Sequence, residues 1–596
     1  MSQMLENLRQ FLRETNHGAI IIPSTDPHGS EYLPEHWKFR SAVSGFTGSA
    51  GDLVVTADQA GLWTDSRYFL QAESQLAGSG IELFRLGLAG TPSLWSKLAD
   101  WCPSGARVAF FGQLHACTEI ARQRPALAER GVDLNPVSED VIDRLWNDRP
   151  PLSDAPAFVH PAEFAGQTVA DKLGVVRSHM EQERADAHVV TALDAVAWLM
   201  NLRGSDIAYN PLVIAYALVL HDEALLYVPD GKLPPPVVRE LETAGVGIRK
   251  YADFLTDLGV RFSSGARVWV DVDAASWAVV DHLGGARILE KASPITLLKA
   301  VKNAAELEGM RACHVRDGVA MVKFLRWMDE HVPGGRVTEL VAAQRLLEFR
   351  QENERFVGLS FETISAYGAH GAIVHYAPST ESDILVGTDS LYLIDSGGQY
   401  LDGTTDITRT VSFGHPDATQ KEHFTRVLAG HLQLSITSFP QGTSGKQLDT
   451  IARMPLWEAG LQYGHGTGHG IGAFLGVHEG PHAISYYRCR GQALLPGMVT
   501  SNEPGLYIQG SHGIRIENVL VVVSDPERSS ADLPFHCFDD LTLCPIDRRL
   551  VCPELLTGPQ LDALNAYHAR VRAALLPHLD AACTRWLIAA TEPITN

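Results

Sequence analysis

Through the first half of the chain, short apolar runs alternate with segments of helical period. Ala19-Ile20-Ile21-Ile22, Asp52-Leu53-Val54-Val55-Thr56 and Val268-Trp269-Val270-Asp271-Val272 have the length and β-branched content of strands. Strands alternating with helices predict an α/β architecture for both N-terminal segments. The longest apolar run, Leu212 to Leu220, is bounded by Pro211 and His221. It is too short to span a bilayer and reads as a buried strand. From Pro294 the period turns helical. Amphipathic helices over roughly 304–330, 337–353 and 418–438 then alternate with hairpin-like stretches rich in glycine turns. That pattern predicts an α+β domain with an antiparallel sheet. The tail after Pro553 reads as helix, and no period of 20–50 residues is visible.

Length adds domain count. At 596 residues the chain exceeds what one core supports. The proline-rich run from Asp148 to Pro156 ends a first domain. The predicted parts are 1–157, 158–300, 301–535 and a C-terminal extension over 536–596. A hydrophobic content of 45% and a charged content of 20% are ordinary for a globular protein. The formal net charge of −21, spread along the chain, argues against nucleic-acid and anionic-membrane partners, which need a basic face. The N-terminus, MSQMLENLRQFLRETN, lacks the apolar core of a signal peptide. The eight cysteines, Cys102, Cys117, Cys313, Cys489, Cys537, Cys544, Cys552 and Cys583, form no C-x-x-C pair. They read as reduced thiols of a cytoplasmic protein.

Candidate chemistry gathers in the last third. In LYLIDSGGQYLDGTTDITRT, Asp395 and Asp406 stand at the inner ends of two apolar runs joined by turn residues. Antiparallel strands would bring the two carboxylates onto one face, about 5 Å apart, where they repel unless a proton, an arginine or a metal compensates. Residues 464–472 pack five glycines around His465 and His469, which allows close backbone approach or positive φ. Glu503 precedes a Pro-Gly turn, and Arg515 and Glu517 share one face of an apolar strand. The four carboxylates supply four negative charges and two divalent cations would balance them, with a neutral His469 adding one nitrogen. Such a donor set suits Mn²⁺, Co²⁺ or Fe²⁺.

The order Asp, Asp, His, Glu, Glu in IDSGGQYLDGTTDITRT, GHGTGHGIG, SNEPG and GIRIENV resembles the dinuclear pita-bread metallopeptidases, which include methionine aminopeptidase, prolidase and aminopeptidase P. Ile373-Val374-His375-Tyr376 and Val477-His478-Glu479-Gly480-Pro481 resemble the further histidine motifs of the proline-specific branch. The N-terminal SAVSGFTGSAG and LWTDSRYF, and the tail motifs LTLCPID and WLI, resemble the three-domain cytosolic type.

The resemblance implies two creatinase-like α/β domains followed by a pita-bread (creatinase/aminopeptidase) catalytic domain. It implies a metal-dependent aminopeptidase that cleaves between an N-terminal residue and a following proline, using a hydroxide shared by two metals. Asp395 would bind one metal, Asp406 and Glu517 would bridge both, and His469 and Glu503 would complete the second site. Glu503 would also orient or deprotonate the water. His375, His465 and His478 would surround the substrate, and either His375 or His478 would assist the leaving nitrogen. Arg515 would hold the carboxylates. The metal is expected to be Mn²⁺, with Co²⁺, Fe²⁺ or Zn²⁺ as alternatives, and the assembly a homodimer. Prolidase, which shares the ligands on a shorter chain, and a metal-free pita-bread binding module are the rival readings. Trp63, Arg67 and Tyr68 are candidates to reach the substrate entrance; otherwise Trp63 and Tyr68 belong to the core and Arg67 pairs with Asp65.

Overall fold

The computed structural model describes residues 3–262, 265–487 and 491–595. Cys489 therefore lies outside the described residues. The chain divides into two compact units, residues 1–161 with 167–296, and residues 162–166 with 297–596.

The first unit holds two six-stranded mixed sheets of identical connectivity. One has the order Glu82–Arg85, Ala60–Thr64, Asp52–Thr56, Ala19–Ile22, Arg107–Phe111, Asp133–Val137. The other runs Val246–Lys250, Ala224–Val228, Tyr216–Leu220, Ala187–Val190, Arg267–Val270, Arg287–Glu290. Across each sheet the pairs are parallel, antiparallel, antiparallel, parallel and parallel in turn. This duplication spans whole lobes, so a search for short periods passes over it. The central strand Ala19–Ile22 is buried on both faces, with Ile20 and Ile22 in one core layer and Ala19 and Ile21 in the other. That is why it reads as an unbroken apolar run.

The run 212–220 is only half strand. Leu212 to Ala215 are buried without a ladder, and Ile214 N–H donates to the Asp206 carboxylate at 2.9 Å. Strand geometry begins at Tyr216. Trp63 and Tyr68 are core residues. Nε and an Nη of Arg67 each donate to Asp65 at 2.8 Å. The entrance role is thereby set aside in favour of packing and a local ion pair.

The second unit is antiparallel throughout its sheets. Its helix Ala304–His331 opens with a capping box between Asn303 and Glu306. Strand Leu391–Ser396 pairs with Ile364–Tyr367 on one side and Ile407–Ser412 on the other. A six-stranded sheet runs Phe439–Pro440, Phe535–Asp540, Asn518–Ser524, Val499–Asn502, Gly468–Gly470, Glu479–Ile484. Phe535–Asp540 thus crosses the expected boundary between the catalytic domain, ending at 535, and the C-terminal extension, beginning at 536. The single strand expected over 513–523 is two strands in different sheets. His512–Arg515 pairs with Gly505–Ile508, and Asn518–Ser524 joins the large sheet. Between them the chain steps across, held by Ile516 N–H on Pro504 O at 3.3 Å and Glu517 N–H on Thr408 O at 3.1 Å.

Candidate metal centre

Asp395 lies opposite Thr408 in the antiparallel ladder, and Asp406 is two residues before Thr408. Side chains alternate along a strand, so the two aspartates share a face as diagonal neighbours. The link between the strands is not a tight hairpin, because residues 398–404 form two short strands of a separate sheet.

The glycine-histidine run is part strand. Gly468–Gly470 lies between Val499–Asn502 and Glu479–Ile484. Its glycines serve close approach, since a Cβ on Gly468 would stand 2.0 Å from the Ser501 carbonyl oxygen. Sheet pairing delivers His469 to the carboxylates. Its Nε2 is 3.3 Å from Glu503 and 3.5 Å from Asp406. Its Nδ1 lies 3.0 Å from the Gly470 carbonyl, to which Nδ1–H donates. This tautomer leaves the Nε2 lone pair facing the carboxylates. Ligand atoms of Asp406, His469 and Glu517 all lie within 4.8 Å of one another.

The electrostatics are lopsided. Among the described residues one guanidinium, that of Arg515, hydrogen-bonds within the group of four carboxylates Asp395, Asp406, Glu503 and Glu517, donating to Asp395 Oδ2 at 2.5 Å. Burial, followed by repulsion from the neighbouring carboxylates, holds the Asp406 and Glu517 carboxyls well above their ordinary range. Burial likewise pushes Glu503 up to about 7. Thr408 Oγ1 donates to Glu517 Oε2 at 2.8 Å, and Ser501 Oγ to Glu503 Oε1 at 3.1 Å. Asp395 Oδ1 and Glu517 Oε1 are buried with no hydrogen-bond partner among the described residues. Buried carboxylate oxygens without donors, beside an imidazole nitrogen, fit hard-to-borderline divalent cations.

The histidines outside this donor set differ in placement. The ring of His478 stands edge-on to His469 with centroids 4.3 Å apart. Its charge acts on Glu503 to lower that carboxyl, against the upward effect of burial. His465 Nε2 lies 2.8 Å from the Tyr507 hydroxyl, and Arg515 donates to the same hydroxyl at 2.7 Å. His465 is thereby linked through Tyr507 and Arg515 to Asp395. His375 is half-buried in the loop after Gly368–Ala372, whose Gly371 packs against the Gly513 backbone of the strand ending at Arg515. Its neighbour Tyr376 anchors that loop by donating to Glu339 at 2.8 Å. Tyr507 had no assigned role in the sequence reading. The signal for it is a tyrosine two strand positions before the turn that leads back to a buried arginine, since a buried hydroxyl seeks a polar partner.

Known families cover nearly the whole chain. The creatinase/prolidase N-terminal domain matches residues 4–145 and again 148–306. Metallopeptidase family M24 matches 308–524, and the C-terminal region of peptidase M24 matches 534–594. The Arabidopsis thaliana protein named aminopeptidase P1 is 38% identical with 100% of both chains covered. The chain belongs to metallopeptidase family M24. This M24 chain is also 39% identical to the Drosophila melanogaster Xaa-Pro aminopeptidase ApepP, with 100% of this chain and 99% of that one covered. A crystal structure of X-prolyl aminopeptidase from Caenorhabditis elegans, described as a cytosolic enzyme with a di-nuclear active site, superposes with a TM-score of 0.96 at 34% identity over 99% of each chain. The double match to the creatinase-type domain agrees with the duplicated six-stranded sheets. Among the described residues no helix is long and apolar enough to cross a membrane.

Proposed function

We propose that this chain is an Xaa-Pro aminopeptidase, cleaving an N-terminal residue from a following proline in peptides. The observation that carries the reading is the charge-deficient cluster of Asp395, Asp406, His469, Glu503 and Glu517. Full-length likeness to proteins named as aminopeptidases P supports it over prolidase. A Bacillus anthracis Xaa-Pro dipeptidase, with 99% of its own chain covered, reaches only 64% of this one.

Asp395 would hold one divalent ion, Asp406 and Glu517 would lie between two, and His469 and Glu503 would hold the second. Such a pair supplies Lewis acidity and a water of lowered pKa. The chain's own groups do the rest. Glu503, beside the metal pair, would take the proton of the attacking water and keep it close to the leaving group. Arg515 fixes Asp395 and Tyr507, so both face the site in one orientation. His375 or His478 delivers a proton to the proline nitrogen, which as a tertiary amide offers no N–H of its own. His465 and the Tyr507 hydroxyl it bonds would line the peptide side of the site together. Manganese as the resident metal, a cytoplasmic location and a homodimeric state belong to the same reading.

The test is hydrolysis of Gly-Pro and Arg-Pro-Pro by metal-stripped protein with Mn²⁺, Co²⁺ or Zn²⁺ added back. The reading expects metal-dependent cleavage of the tripeptide. Cleavage of the dipeptide alone would make the protein a prolidase. No cleavage with any metal would favour a binding module.

A further inference from the structure

Behind the two histidines sits a buried ion pair that the chemistry above does not use. Asp449 and Arg453 lie one turn apart on helix Gly445–Trp457, both side chains at 0% exposure. All three guanidinium nitrogens are committed. Nε donates to Asp449 Oδ2 at 2.9 Å, one Nη to the Tyr463 carbonyl at 2.8 Å, and the other to the His465 carbonyl at 2.6 Å. Asp449 Oδ1 accepts from the Thr467 hydroxyl, and Oδ2 accepts from the Tyr486 backbone N–H at 3.2 Å. The guanidinium also lies over two rings, 3.9 Å from the Tyr463 centroid and 4.6 Å from that of Tyr486.

One ion pair thus grips residues 463, 465 and 467, every second residue ahead of His469. A buried ion pair is a weak source of stability, because apolar residues of similar volume commonly do as well. What it adds here is geometry. A planar fork can hold two carbonyls and a carboxylate at once, which an ammonium on a flexible stem cannot reproduce. The His465 ring leaves this anchored backbone with Nδ1 2.7 Å from the Gly466 carbonyl and Nε2 on the Tyr507 hydroxyl. Movement of the His465 carbonyl would swing Nε2 off Tyr507.

We propose that Asp449 and Arg453 are positioning residues for the reaction: gripping the carbonyls of 463 and 465 and the side-chain hydroxyl of Thr467, they aim His465 at the peptide without touching it. This rests on the reading of His465 as a substrate-side group. The test is a double-mutant cycle in the Mn²⁺-loaded full chain, measuring metal content, melting temperature, kcat and KM. Arg453→Lys keeps the charge and loses the fork. The paired replacement Asp449→Leu with Arg453→Met removes both charges and leaves neither stranded. Each is expected to retain its metals and lower kcat ~10–100-fold, the size expected when a partner that orients a site residue is removed. In a His465→Ala background the same replacements should change kcat by no more than about 2-fold, because the group they aim is gone. Full additivity in that background, or normal kcat in either replacement, would overturn the proposal. If His465→Ala itself leaves kcat intact, it is the reading of His465 that fails.

Discussion

Two buried acidic sites in the second unit are opposites in charge accounting. Glu479 is one carboxylate between two lysines, Lys299 at 3.0 Å and Lys302 in closer contact, all 2% exposed or less. Burial alone would raise its pKa, yet the lysines outweigh burial and hold the carboxyl below its ordinary 4.5. At the candidate metal centre four carboxylates share one guanidinium, and burial with mutual repulsion drives Asp406 and Glu517 upward. Similar burial yields opposite shifts. At the first site the chain supplies more positive charge than negative, whereas the second is complete only when positive charge arrives from outside. That difference separates a structural carboxylate from a ligand without appeal to motif.

The sharpest way to break the comparison is to remove one carboxylate from the deficient site. Asp406→Asn is expected to lose metal and to lower turnover by at least ~10³-fold, the scale seen when a charge-stabilising group is lost. Near-normal activity with both metals bound would contradict the comparison. At the Glu479 site the same chemistry should act on stability. Glu479→Gln removes the counter-charge of two buried ammonium groups and should cost about 3–5 kcal/mol in urea unfolding. The pH dependence follows from the sign of the shift. A depressed carboxyl contributes stability that is fully present above the unfolded value, near 4.5, and is lost as pH falls through the lower folded value. The acid limb of the wild-type stability curve should therefore flatten in the variant, and an unchanged limb would assign it to other groups. A smaller effect is expected from His465→Ala, which stands outside the donor set. Both metals should stay and kcat should fall ~10–100-fold. Loss of a metal there, with none lost in His469→Ala, would exchange the two histidines' roles.

Much of this was legible in the sequence, for identifiable reasons. Ala19–Ile22 and Leu391–Ser396 are buried on both faces, so apolar runs gave them away. Asp395, Asp406, His469 and Glu503 each sit where a run meets a turn or a glycine, and Glu517 stands out as a carboxylate inside an apolar run. What escaped were features set by tertiary path. Residues 513–523 read as one strand because apolar content carries no mark of the step at 516–517, where hydrogen bonds to Pro504 and Thr408 redirect the chain. Helix Gly445–Trp457 was passed over although it is amphipathic, because Pro455 inside it reads as a breaker. Arg67 could equally reach an entrance or pair locally, and only coordinates show its fork on Asp65.

Without metal the cluster is short of positive charge, and burial with mutual repulsion favours protons on its carboxylates instead. Metal binding to the stripped protein near pH 6.5, in a weakly buffered solution, tests this directly, because ligation must displace those protons. With Asp406 and Glu517 held well above their ordinary range and Glu503 near 7, two Mn²⁺ ions per chain should bind with measurable acid release. The release should shrink as the starting pH is raised past 8. Tight binding of two ions with no proton released at pH 6.5 would contradict the account.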